Sequence, residues 1–154
     1  MVEGLVEQPV VLTSQGRERL GSRLAQATDA MRQMAERFGQ RSDVDAGDYG
    51  DYLRLSDQVA VLRKVLQNAQ EPGAVPEDPT IVEVGDEVAV EFADGDVEHY
   101  VVVHPIEAGL DDQRVSAASP LGTALLGRRV GDRVTVRAPA GAYECTVRSR
   151  ARAT

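Results

Sequence analysis

The sequence predicts an α+β protein, with an N-terminal antiparallel coiled-coil hairpin followed by a C-terminal α/β domain. Three observations predict it. Leu20, Leu24, Ala27, Met31, Met34 and Phe38 follow one another at steps of 4, 3, 4, 3 and 4, the 3.5-residue repeat of a coiled-coil seam. Tyr52, Leu55, Val59, Leu62, Leu66 and Ala69 repeat the pattern at steps of 3, 4, 3, 4 and 3, and two such seams in one chain imply an antiparallel pair. From Ile81 onward valines alternate with polar residues, the period of half-buried strands. Between the two patterns, EPGAVPEDPT at 71–80 holds three prolines and one glycine, which stops any helix and reads as a linker. The expected division is therefore a hairpin over 1–70, a linker over 71–80 and a globular domain over 81–154.

Each element follows from local chemistry. Val10-Val11-Leu12 is extended, and Thr13 and Ser14 supply hydroxyls to cap a first helix running from about Ser14 to about Arg41. Gly16 and Gly21 weaken its start by about 1 kcal/mol each relative to Ala. Val84, Val88, Val90 and Phe92 lead to Asp94-Gly95, read as a two-residue hairpin turn into Val97 to Val103. A third strand is expected near Arg114 to Ala117. Ser119-Pro120 then opens a short helix that Gly127 ends. Arg133 to Ala138 and Tyr143 to Ser149 form a second hairpin around Pro139-Ala140-Gly141. Val84-Gly85-Asp86-Glu87-Val88 recurs as Val130-Gly131-Asp132-Arg133-Val134, which implies one kind of tight turn entering two strands.

Composition removes several function classes. The 154 residues carry 17 Lys+Arg and 25 Asp+Glu, a net of −8. A polyanion binder needs clustered cations, so nucleic acid should be met through a protein partner. Two Phe, four Tyr and no Trp leave little for an aromatic ligand pocket. One cysteine, Cys145, cannot form an internal disulfide, which suits a reducing cytoplasm. No signal-peptide pattern or membrane-length apolar run is seen. His99 and His104 lack partners at zinc spacing. No G-x-S-x-G, P-loop or G-x-G-x-x-G motif is present.

Chemistry concentrates between the seams. RSDVDAGDYGDY at 41–52 contains Asp43, Asp45, Asp48 and Asp51. Counting the second seam backwards from Tyr52 lands on Asp48 and Asp45, and carboxylates in core phase cannot be buried unpaired. The acids therefore sit at an open tip, where Gly47 and Gly50 ease the reversal. Two readings stand: a solvated polar turn, or half of a Mg²⁺ site that a partner completes. The arm behind the tip, from Arg17 to Arg41, carries six arginines against three acids. It is either a charged helix face or a basic shaft suited to an acidic groove or to RNA.

These features resemble the Gre family of bacterial transcript cleavage factors over residues 10–150. LTSQGRERLGSRL is similar to the family's start of the first helix, and VDAGDYGDY to a tip of the form GDLKENAEY. SAASPLGTALLGRRVGDRVTVRAPAG carries Ser119-Pro120, Leu126-Gly127, Gly131-Asp132 and Pro139-Ala140-Gly141 in family places. The resemblance implies an FKBP-like C-terminal domain that docks at the rim of the secondary channel of bacterial RNA polymerase. Ser119 and Pro120 are then the docking residues, beside Ala118, which stands where some members have Asp or Asn. It also implies that the hairpin enters the channel and that Asp45 and Asp48 act catalytically in trans. They would help hold a Mg²⁺ and a water of the polymerase's active centre during hydrolysis of backtracked RNA, with Asp43, Asp51 and Tyr52 supporting the tip.

By the same resemblance the protein is not itself an enzyme, binds no cofactor alone, and shares Mg²⁺ with the polymerase. It meets nascent RNA only indirectly, touches no membrane, and is a monomer in the cytoplasm. The tip departs from the family pattern at Gly47, Asp48, Tyr49 and Asp51. Asp48 in place of Glu shortens the reach by about 1.3 to 1.5 Å. An aspartate-rich tip is also similar to the Gre-homologue inhibitors, which occupy the channel without stimulating cleavage. Two rival classes are weaker. A prolyl isomerase needs an aromatic pocket, for which only Phe92, Tyr100 and Tyr143 are available beyond Ile81. A coiled-coil scaffold would keep its seam apolar to the tip.

Overall fold

The computed structural model describes residues 10–73 and 78–153. The elements in chain order are β1 (Val10–Val11), α1 (Ser14–Gln40), α2 (Ala46–Gln67), β2 (Ala69–Gln70), β3 (Asp86–Phe92) and β4 (Val97–Val103). A 3₁₀ turn (Pro105–Glu107), β5 (Arg114–Ser116), α3 (Pro120–Leu125), β6 (Arg133–Ala138) and β7 (Gly141–Arg152) complete the order. The protein is thus α+β, with two long helices and a five-stranded sheet. It divides into two compact units, Arg17–Ala69 and the combination of Met1–Gly16 with Gln70–Thr154. Residues 10–16, expected to belong with the hairpin, thus group with the sheet-bearing unit. Residues 1–9 of the expected hairpin half, 74–77 of the expected linker and Thr154 lie outside the described residues.

In the helical unit α1 has 27 residues, about 40 Å at 1.5 Å per residue. Leu24, Ala27, Met31, Met34 and Phe38 are half-buried while the positions around them are largely exposed, and Leu20 is buried. On α2 the seam from Tyr52 to Ala69 is shielded in the same way, with Val59 buried. The 3.5-residue spacing therefore marks the protected face of both helices. Phe38 and Tyr52 meet edge-on, ring centroids 5.8 Å apart.

The sheet has the order β5-β4-β3-β7-β6. β5 runs parallel to β4, and the other pairs are antiparallel. Val88, Val90, Val102, Val134, Val136, Val147 and Cys145 form one core with Leu125 of α3, because alternate strand residues share a face. The first hairpin differs from the expected two-residue turn. Phe92 N–H donates to Asp96 O at 2.9 Å across Ala93-Asp94-Gly95, with Gly95 at φ +89. A three-residue loop closed by a left-handed glycine results, one of the common hairpin solutions.

The repeated Val-Gly-Asp phrase has a single physical basis. Gly85 and Gly131 adopt φ +97 and +98, and the next residue turns its carboxylate back on the chain. Asp86 Oδ2 accepts from Glu83 N–H at 2.8 Å, and Asp132 Oδ2 from Arg129 N–H at 2.9 Å. Asp86 is fully buried and also receives Arg150 through Nε and Nη2, and Arg152 through Nη1, each at 2.8 Å. The same arginines reach the proline-rich segment, Arg150 donating to Pro79 O at 2.6 Å and Arg152 to Gly73 O at 3.0 Å. The described ends of that segment are irregular yet pinned to β7.

The start of α1 is held from a distance of 94 residues. Thr13 is the cap, its Oγ1 accepting from Gly16 N–H at 3.0 Å. Glu107, fully buried, accepts from Thr13 N–H at 2.9 Å and from the Thr13 hydroxyl at 2.6 Å. In a local capping box a Glu three residues after the cap makes the first of these bonds. Here that place is Gly16, and a methyl group there would overlap the Glu107 carboxylate. The glycine that looked like a weakness makes room for a cap supplied by the turn after β4. Arg114, almost fully buried, places Nε 3.6 Å from Glu107 Oε1 and also pairs with Asp111.

Candidate functional site

The acids between the helices are organised by a helix cap. Asp45 is extended at φ −81, ψ 167, and its Oδ1 accepts from Asp48 N–H at 2.8 Å. Tyr49 N–H donates to Asp45 O at 3.2 Å and closes the first turn. Asp45 satisfies one of the orphan donors at the start of α2, and Asp48 in the first turn sits favourably against the helix dipole. Gly47 lies between them, and a Cβ built there would approach Asp45 Oδ1 to 3.1 Å. The pattern Asp-x-x-Asp ahead of a helix was thus a capping signal, which the seam count alone did not reveal.

Arg41 gathers two more groups. Its Nε lies 3.7 Å from Asp43 Oδ1 and its Nη1 3.7 Å from Asp48 Oδ2. These are exposed, loosely paired charges, the Asp43 side chain being 84% and that of Asp48 40% accessible, so each pair contributes about 0–1 kcal/mol. Asp51 faces away along α2 to Arg54 at 3.3 Å. The structure therefore brings Asp43, Asp45 and Asp48 together around one cap and one guanidinium, and leaves Asp51 with a separate partner. Tyr52 is half-buried behind them against Phe38. Sequence reasoning did not single out the pairing role of Arg41; Tyr49, noted there only as a departure from the family tip, is 55% exposed.

The donor set can be weighed against Mg²⁺, which takes six oxygens in near-octahedral order and keeps several from water or substrate. Asp45 has Oδ2 left after capping, and Asp48 offers a partly exposed carboxylate. They fit part of an oxygen shell. Among the described residues no three His, Cys, Asp or Glu side chains converge as a complete metal site.

In the sheet-bearing unit, Ser119 caps α3. Its Oγ accepts from Gly122 N–H at 3.0 Å and donates to Ser116 O at 2.7 Å. Pro120 takes the first helical position, where its fixed φ is already suitable. Ala118 and Pro120 are exposed, and Ser119 is half-buried. Gly122 packs so closely on the Ser116 carbonyl that a Cβ would collide with it, so the turn is rigid. It presents a small, mostly apolar knob, with the Ser119 hydroxyl already used internally.

His99 stands 3.6 Å from Glu87 on the neighbouring strand, both exposed. His104 Nδ1 accepts from Ile106 N–H at 3.1 Å, and burial pushes its imidazole below the usual 6.5, with Glu107 opposing. Cys145 is buried and its thiol is pushed up by burial, so neither a nucleophile nor a metal ligand is set up there. No helix among the described residues is long and apolar enough to cross a membrane.

Fold and site together define an α+β protein that carries exposed carboxylates at the turn between two long helices. Comparison with known proteins supplies the family. Residues 77–149 match the family described as transcription elongation factor, GreA/GreB, C-terminal. Transcription elongation factor GreA of Chloroflexus aurantiacus is 34% identical over 156 residues, covering 93% of this chain and 98% of that protein. Transcription elongation factor GreB of Pseudomonas aeruginosa is 34% identical over 141 residues, covering 85% and 83%. Among solved structures, GreA factor homolog 1 of Thermus thermophilus aligns over 94% of this chain and 99% of its own, with 27% identity and a TM-score of 0.43. The chain belongs to the GreA/GreB family of transcription elongation factors.

Proposed function

We propose that the chain is a non-enzymatic partner of bacterial RNA polymerase that enters the secondary channel with residues 41–52 leading and stimulates the polymerase's own cleavage of backtracked RNA. In this reading α1 and α2 form an antiparallel coiled coil. The sheet-bearing unit is FKBP-like and docks at the channel rim through Ala118, Ser119 and Pro120. The observation that carries the proposal is the Asp45–Asp48 pair, an exposed carboxylate fixed by its cap bond and a half-buried one in the first turn of the same helix, which together could supply part of a metal's oxygen shell. A Mg²⁺ at the polymerase's active centre supplies an activated water and neutralises phosphate charge. The chain's part is positional. Asp45 is locked by its cap bond, so Oδ2 projects from a fixed point, and Asp48 adds a second oxygen donor one helical turn on. Tyr52 against Phe38 steadies the base of the tip, and Asp43 and Asp51 add negative potential.

The test is RNA cleavage in stalled, backtracked elongation complexes with the full chain and with Asp45→Ala/Asp48→Ala. Stimulated cleavage by the wild type, lost in the double variant, is the expected result. A wild type that neither binds polymerase nor changes cleavage, pausing or initiation sinks the proposal. One observation favours a second reading, an inhibitory homologue that occupies the channel without stimulating cleavage. Asp48 is a short carboxylate and stands within 3.7 Å of Arg41. The same assay distinguishes it, since such a factor represses transcription and leaves cleavage at its intrinsic rate.

A further inference from the structure

We infer that Tyr49 is a stacking platform for an unpaired nucleobase of the RNA, and so sets the substrate preference of the tip. This rests on the reading of Asp45 and Asp48 given above. In a chain with only four Tyr, two Phe and no Trp, the Tyr49 ring is 55% exposed, an uncovered position for a large apolar group. Its backbone N–H donates to Asp45 O at 3.2 Å, so the ring is rooted in the same helical turn that fixes the two carboxylates. Leu53, four residues on and therefore on the same side of α2, is also exposed. An apolar strip thus runs beside the acids.

Charge selects what can meet that strip. Four aspartates against Arg41 and Arg54 leave residues 41–54 with a net charge of −2, which repels a phosphodiester backbone approaching without a metal. A nucleobase is neutral and offers a π-face whatever its identity, and stacking on aromatic side chains is a main way proteins hold single-stranded nucleic acid. Two carboxylates directed to a metal-bound phosphate, with a ring one residue away, match the two halves of one nucleotide. Purines, having the larger face, are preferred over pyrimidines.

Val44 and Tyr49 also occupy the positions before the cap and four after it, the spacing of a hydrophobic staple. The experiment therefore separates a ring that steadies the helix from one that stacks. Tyr49→Leu keeps an apolar group and removes the ring, while Tyr49→Trp keeps a ring. Each full-length protein is added to backtracked complexes whose 3′ RNA base is 2-aminopurine, reading fluorescence, RNA cleavage and, on the free protein, helical circular dichroism. Quenching by wild type and Tyr49→Trp, absent with Tyr49→Leu at unchanged helix content, is expected. Factor-dependent cleavage, or in the inhibitory case tip occupancy, should fall with Tyr49→Leu on the order of 5- to 160-fold, the range of one stack. Equal quenching by Tyr49→Leu, or a loss that follows helix content in both variants, overturns the inference. The reading of the acids fails separately, through an Asp45→Ala/Asp48→Ala protein that acts like wild type, and a wild type without effect on polymerase overturns both.

Discussion

Gly16→Ala should destabilise the native protein and stabilise a Glu107→Ala background. On an unobstructed helix alanine is favoured over glycine by about 1 kcal/mol. At Gly16 the added methyl overlaps the buried Glu107 carboxylate, which must withdraw from Thr13 N–H and the Thr13 hydroxyl, now at 2.9 and 2.6 Å. Each bond to a charged acceptor contributes about 1.5–3 kcal/mol. The net cost of Gly16→Ala is then about 2–5 kcal/mol. Glu107→Ala alone strips the cap and leaves the almost fully buried Arg114 with less countercharge, costing about 3–5 kcal/mol. In the double variant the methyl enters vacated space and helix propensity returns, so the coupling between the sites is about 3 kcal/mol or more. Urea unfolding of the four proteins, followed by far-ultraviolet circular dichroism with m-values compared, gives the cycle. A neutral Gly16→Ala in the native background, or additivity of the two changes, would refute the trans-capping argument.

Other expectations follow from the same contacts. Burial holds His104 below its usual 6.5, so the folded state binds its proton less readily than the unfolded chain. Its contribution is full above pH 6.5 and declines as pH falls through 6.5 toward the folded value; thermal melts between pH 7.5 and 5 should show a slope that His104→Ala removes, and equal slopes would contradict this. Asp86→Asn leaves Arg150 and Arg152 around a neutral group and should cost about 3–5 kcal/mol, read as a lower urea midpoint; a change under about 1 kcal/mol would mean the cluster is dispensable. Asp45→Ala should lose about 1 kcal/mol with its cap, while Asp45→Asn, an equally good cap, should lose almost none, as thermal unfolding can show. Cys145 should react with a thiol reagent only as the protein unfolds, because it is buried and burial raises its thiol; fast labelling of the folded chain would contradict the core assignment.

Much of the architecture was legible because it rests on periodicity. The two seams are the shielded helix faces, and alternating valines meet in one sheet core. Turn glycines and the Ser119-Pro120 helix start were readable for the same reason, since each depends on a few adjacent residues. What escaped depends on distant partners. Glu107 carries no signal in the sequence, and only the fold brings it under Thr13, 94 positions away. Asp86, Arg150 and Arg152 gave no signal of their union, because salt-bridge partners on separate strands have no sequence spacing. At the tip the acids were visible, but their division of labour was not. Asp45 spends one oxygen on α2, Arg41 stands between Asp43 and Asp48, and Asp51 turns to Arg54.

That division of labour permits a sharp test, since charge can be removed from Asp45 without removing its cap. Cleavage of backtracked RNA should be measured with wild type and with Asp45→Asn/Asp48→Asn, alongside polymerase binding and helix content. The double variant should keep its fold and its affinity for polymerase and lose the ability to accelerate cleavage. Acceleration undiminished in that variant would contradict the claim that the tip carboxylates act at the polymerase metal.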